Sequence, residues 1–173
     1  MSTDMDRVVS IRRGICDDLT TVIGFAQNLN SIHRLERPDI FVDVAVNADG
    51  ARNHWLSFLE SDADVVLIAE LDSRPVGFIS AHLSTTTNPL MYSMQICRIG
   101  SIYVPEPYRG QGIGKKLMGT ARDWAIGKGA EDLKLSVWTF NTAAIRIYEE
   151  FGMEVRTLEM GMRLAPLSAT KAT

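Results

Sequence analysis

The sequence predicts an α/β fold. It expects one central sheet of about six to seven strands, partly antiparallel and partly parallel, with helices on both faces. Three observations carry this. Apolar runs with strand character (Val65–Glu70, Val76–Leu83, Gln95–Val104, Leu133–Trp138) alternate with stretches of helical spacing. The first two runs are separated only by Leu71-Asp72-Ser73-Arg74-Pro75, a hairpin turn. With 173 residues and neither an internal repeat nor a composition shift, the chain reads as a single domain over residues 7–164, with loose tails at 1–6 and 165–173.

Each element has its own justification. Val8–Arg12 alternates as a first strand. Asp17 or Asp18 can cap a helix running to about Asn30, with Leu19, Val22, Ile23 and Ala26 on one face. Ser31–Asp39 is charged and contains Pro38, which predicts a loop. A second helix is expected between Ile40 and Leu59, although Val42, Val44 and Val46 alternate as a strand would. After the hairpin, Ser84–Pro89 is a polar loop, and Pro105-Glu106-Pro107 ends the Gln95–Val104 strand. Ile113, Leu117, Ala121 and Trp124 recur at helical spacing until Gly127 and Gly129. Asn141–Phe151 reads as a short helix stopped by Gly152, and Val155–Leu164 as a last strand.

Composition narrows the function. Net charge is −3, with no basic excess, which argues against a non-specific nucleic-acid binder. Cys16 and Cys97 lie far apart and read as reduced, buried thiols, and no Cys or His spacing suggests a metal site. Met1–Arg7 has no signal-peptide core, and no apolar run is long enough to span a membrane, so the expected location is the cytoplasm. Met91, Met94, Met153, Met160 and Met162 are expected to fill core gaps, as are Trp55, Trp124 and Trp138, with Trp138 open to a place on the substrate side.

The densest signal is Arg109-Gly110-Gln111-Gly112-Ile113-Gly114, between a strand and a helix. Glycines let backbone N–H groups approach a ligand, and a helix N-terminus adds partial positive charge, which makes an anion cradle suited to phosphate. A Walker A loop fails on spacing, because Arg109 stands where its first glycine is needed. The dinucleotide fingerprint fails as well, because the glycines fall at 110, 112 and 114. A second segment follows, with Asn141, Ala144, Tyr148 and Gly152-Met153. Together, Arg109-x-x-Gly112-x-Gly114 and this segment resemble the GNAT superfamily of N-acetyltransferases, in the right order and over Ile99 to Met153.

The resemblance implies an enzyme that moves an acetyl group from acetyl-CoA directly to a primary amine in a ternary complex, without a metal. It implies that Arg109, Gly110, Gln111, Gly112, Ile113 and Gly114 hold the pyrophosphate. It also implies that a bulged strand offers the backbone of Ile102, Tyr103 and Val104 to the pantetheine arm, with the Ile102 N–H facing the acetyl carbonyl. Lys115 and Lys116 read equally as phosphate neighbours or as a solvated first turn. Tyr148 is the candidate general acid, since a phenol stays protonated at neutral pH, and the bland alternative is a core tyrosine. Asn141 can contact the cofactor, cap its helix, or do both.

The general base departs from the family's better-known patterns. The positions where some members carry glutamate are Arg98 and Ser136 here, which leaves Glu70, His82, Glu106, Tyr103 or water. The region Asn28–Leu59 is expected to shape the acceptor site, but His33, Arg34, Glu36, Arg37 and Asp39 do not name a substrate. A protein N-terminus, lysine, polyamine, amino acid or antibiotic all remain open as the small-molecule or peptide amine. A homodimer is expected by resemblance. The rivals are a non-catalytic acyl-CoA-binding module, an acyltransferase for longer chains and, more weakly, a nucleotide-phosphate enzyme.

Overall fold

The computed structural model describes residues 8–43 and 47–164. The elements are β1 (Ser10–Arg13), α1 (Leu19–Glu36), α2 (Ala48–Glu60), β2 (Asp64–Leu71), β3 (Arg74–Thr85), β4 (Gln95–Tyr103), α3 (Ile113–Gly127), β5 (Asp132–Leu135) and α4 (Thr142–Glu150). The strands form one sheet in the order β1-β2-β3-β4-β5. The first three pairings are antiparallel and β4–β5 is parallel.

The sheet is buried on both faces, and β2 shows how its sequence arranges this. Val65, Leu67, Ala69 and Leu71 pack with Ile113, Leu117, Met118 and Ala121 of α3. Val66 and Ile68, one residue out of phase, pack with Leu19 and Val22 of α1 and with Trp55 and Leu59 of α2. The period of two that marks a strand therefore serves two separate cores. The expected mixed sheet with helices on both faces is present, with five strands among the described residues rather than six or seven.

Several boundaries differ from expectation, for local reasons. The loop expected at Ser31–Asp39 is mostly helix. The Ser31 hydroxyl donates to the Gln27 carbonyl at 3.0 Å instead of breaking the turn. The charged residues after it are good helix formers on an exposed face, and α1 stops only where Pro38 excludes the helical conformation from Arg37. The second helix is capped by Asn47, whose side chain accepts from the Gly50 N–H at 3.2 Å. Val44 and Val46, two of the three residues of the alternative strand pattern, lie outside the described residues, as do the tails 1–6 and 165–173.

The strand expected at Val155–Leu164 does not form. Period-two apolar spacing needs a partner ladder to become a strand, and these residues have none among the described residues. Leu158, Met160, Met162 and Leu164 are exposed, so Met160 and Met162, like Met91, fill no core gap. Cys97 is buried as expected, whereas Cys16 is exposed, in a 3-10 turn before α1.

That turn is fastened by Asp18. The Arg12 guanidinium donates to both carboxylate oxygens of Asp18 at 2.7 and 2.8 Å and to Glu70 at 2.9 Å, and Asp18 also takes the Ile15 N–H. The pairing with Arg12 holds the Asp18 carboxyl below its ordinary pKa against the opposing effect of burial. A depressed carboxyl stabilises the fold above its ordinary pKa and ceases to do so as pH falls through its folded value. Asp18→Asn should therefore lower unfolding free energy at pH 7 by about 1–3 kcal/mol. In urea melts run at successive pH values, the gap from wild type should close as pH drops below the carboxylate range.

Candidate functional site

The site begins where β4 and β5 part. Their parallel pairing ends at Ile99 opposite Leu135. On its other side β4 stays paired with β3 as far as Tyr103, but Ala81 faces Ile99 while Ser80 faces Ser101, so Gly100 is an extra residue in β4. This is a β-bulge. It is pinned by the buried Ser80, whose hydroxyl oxygen accepts from the Ser101 N–H at 3.0 Å. A Cβ at Gly100 would come within 3.0 Å of that oxygen.

The bulge sets the direction of the backbone beyond it. Because the Ser101 N–H points to β3 and backbone groups alternate sides along a strand, the Ile102 N–H and carbonyl point into the gap that β5 has left. On its β5 side, β4 has no strand partner beyond Ile99 among the described residues. Tyr103 packs its ring against Phe25 at 5.9 Å. The Val104 carbonyl is engaged, accepting from Arg109 Nε at 2.8 Å.

The glycine loop lies just past the end of β4. Gly110 and Gly112 take left-handed φ values of 74° and 75°, a region that penalises side chains. Gly112 is the N-cap of α3, and no side chain caps that helix. The first-turn N–H groups of Ile113, Gly114 and Lys115 are thus left for a ligand. Nothing lies within 4 Å of a Cβ built at Gly110, Gly112 or Gly114, so the space in front of the loop is open. The residues fit a pyrophosphate through their backbone. The Ile113 side chain is buried in the core, so this residue can contribute only its N–H. Arg109 braces the loop from behind, with its guanidinium over the Tyr103 ring at 5.9 Å, and Gln111 donates to the Pro107 carbonyl at 3.3 Å.

A cleft of about 550 Å³ runs from the parted strands to α1 and α2. Ile102, Tyr148 and Asn141 all line it. Asn141 caps α4, accepting from the Ala144 N–H at 3.2 Å, so it holds the helix that carries Tyr148. Tyr148 is half-buried, and burial pushes its phenol above the ordinary tyrosine value. It is protonated at neutral pH, as an acid must be.

The fallback bases expected from sequence do not line the cleft. Glu70 is paired with Arg12, His82 with Asp64, and Glu106 sits in an exposed turn after β4. The cleft instead holds His33 of α1 and His54 of α2. Burial lowers the His33 pKa, so its imidazole is neutral at pH 7 and can accept a proton. In the sequence His33 stands only as one of several mixed charges, and His54 carries no signal of a site. The helical spacing of Ile23, Ala26, Asn30 and His33 along α1 was the signal that could have placed His33 on this face.

The family model described as "Acetyltransferase (GNAT) family" matches residues 27–153. An uncharacterised N-acetyltransferase of Methanocaldococcus jannaschii is 28% identical over 111 residues, 64% of this chain and 48% of that protein. The chain thus spans about half the length of that relative. The thialysine N-epsilon-acetyltransferase of Bos taurus is 27% identical over 154 residues, 84% of each chain. Among solved structures, a mutant of the BH1408 protein from Bacillus halodurans superposes with a TM-score of 0.80 at 22% identity, covering 90% of this chain and 99% of that one. The aminoglycoside N-acetyltransferase AAC(6')-Iy in complex with CoA gives 0.75 at 19% identity, covering 94% and 98%.

Gly112→Ala tests the conformational requirement of the loop. A Cβ in the left-handed region should cost about 1–2 kcal/mol of stability, read as a lowered urea midpoint with unchanged slope.

Proposed function

The chain belongs to the GNAT acetyltransferase family, and on that footing we propose that it is an N-acetyltransferase that moves an acetyl group directly from acetyl-CoA to a primary amine. The observation that carries this reading is the unpaired β4 edge beside Tyr148, with an open, uncapped glycine loop at the end of the same strand. The loop N–H groups of residues 112–115 would hold the pyrophosphate. The Ile102 backbone would hold the pantetheine arm and direct an N–H at the thioester carbonyl oxygen, where negative charge grows as the amine attacks. One preorganised donor of this kind is worth on the order of 10²–10³ in rate.

The proton inventory uses groups already in the cleft. The acceptor ammonium must lose a proton before it can attack, and neutral His33 takes it, directly or through water. The amine nitrogen then bonds to the carbonyl carbon as the carbon–sulfur bond breaks, and the second proton that it sheds on becoming an amide leaves through water, which also restores the Tyr148 hydroxyl. The Tyr148 hydroxyl hydrogen-bonds or protonates the departing sulfur. Cys97, the buried cysteine, is not a nucleophile for an acyl-enzyme route, because burial pushes its thiol up to about 11. Direct transfer in a ternary complex is the route that these residues serve. The acceptor is a small-molecule or peptide amine bound between α1, α2 and the segment after β5.

Two measurements test the reading together. Calorimetry should detect acetyl-CoA binding, and thiol release from acetyl-CoA should become amine-dependent. Tyr148→Phe should lower kcat about 100-fold while leaving acetyl-CoA affinity nearly unchanged. The wild-type rate should show no alkaline decline below pH 10, because burial moves the phenol's pKa upward from that value. Binding without turnover on any amine would instead identify an acyl-CoA-binding module.

A further inference from the structure

The acceptor end of the cleft is walled by rings. His33 stacks on Phe41 with centroids 5.1 Å apart, and Phe41 meets Trp138 edge-on at 5.4 Å. Phe140 backs this wall, stacked on Trp138 at 6.2 Å and edge-on to His33 at 5.9 Å. His33, Phe41 and Trp138 all line the cleft. Trp138 and Ile102 each lie three residues past Leu135 and Ile99, the last pair of the parted strands, and both line the cleft. The ring wall therefore shares the cleft with the backbone group that would receive the thioester carbonyl.

Charge at this end is sparse, and its carboxylates are already paired with arginines. Among the described residues lining the cleft, Asp43 is the one carboxylate, and Arg34 pairs with it at 2.7 Å. The Arg37 guanidinium lies over the Trp138 ring at 5.4 Å and is held by Asp39 at 2.8 Å, and Arg163 reaches the same Asp39 at 3.0 Å. Among the described residues of this cluster, three arginines meet two aspartates, so both carboxylates are engaged.

We propose that the acceptor is a primary monoamine carried on a flat apolar or aromatic body, seated against His33, Phe41 and Trp138. This rests on the acetyltransferase reading and names the substrate class of that same site. A polyamine or aminoglycoside would bring several ammonium groups to a wall that offers them guanidinium neighbours and no spare carboxylate, a costly desolvation. A monoamine brings a single charge, which must be lost before the nitrogen attacks. Its body gains ring contacts that the wall supplies in quantity.

The test compares kcat/KM for 2-phenylethylamine and tryptamine with that for spermidine, kanamycin and lysine, alongside calorimetry of acetyl-CoA. The aromatic monoamines should lead by about tenfold or more. Trp138→Ala should raise KM for 2-phenylethylamine about tenfold with acetyl-CoA affinity unchanged, and Trp138→Phe should restore most of the loss. Preference for a polycation or for lysine, or no turnover of aromatic monoamines by protein that binds acetyl-CoA, would overturn this proposal alone. Failure to bind acetyl-CoA would overturn the acetyltransferase reading and this proposal with it.

Discussion

The fold depends on one hydrogen bond for its chemistry: the Ser101 N–H donating to the buried Ser80 hydroxyl. A strand that gained an extra residue without compensation would lose a buried backbone partner at that point. Ser80 supplies the missing acceptor from inside the sheet, so β4 can carry the bulge at Gly100 and still remain zipped to β3 as far as Tyr103. On the opposite side β5 departs after Leu135, and the backbone at Ile102 is left facing a cleft. An unpaired edge inside a protein is normally a liability. Here it is flanked by Tyr148, Asn141 and the ring wall.

The two cores explain how that edge stays open. On one face α3 packs its Ile113, Leu117 and Ala121 stripe against β2 and β3, which fixes the N-terminus of α3 at the end of β4. On the other, α1 and α2 pack against Val66, Ile68 and Phe78. Arg12 ties β1 to Asp18 at the root of α1. The glycine loop and the acceptor side of the cleft are therefore carried by helices on opposite faces of one rigid sheet.

Much of this was legible in the sequence because it rests on side-chain pattern. The hairpin β2–β3, the strand that precedes the glycine loop, and the α3 stripe follow from apolar periodicity. The loop and the Asn141–Gly152 segment follow from residue types that few other backbones require. What stayed hidden has physical causes. Ser31 and the charges after it look like a loop until the helix supplies a carbonyl for the hydroxyl. Val155–Leu164 has the alternation of a strand, but alternation cannot say whether a partner lies alongside. The bulge was expected through the family resemblance alone, because it is a backbone event for which any sequence could supply N–H groups. The meeting of His33 with Phe41, Trp138 and Phe140 joins residues more than a hundred positions apart, which no local pattern reports. Glu70, His82 and Glu106 are plausible bases by type alone, and it is their partners and places that remove them.

Amide hydrogen exchange with and without saturating acetyl-CoA tests the central claim most directly. If the open β4 edge and the α3 N-terminus hold the ligand, the Ile102 amide and those of Gly112–Lys115 should gain protection, with little change in β1 or β2. Ligand binding with exchange at Ile102 and the loop unchanged, and protection elsewhere, would contradict that claim.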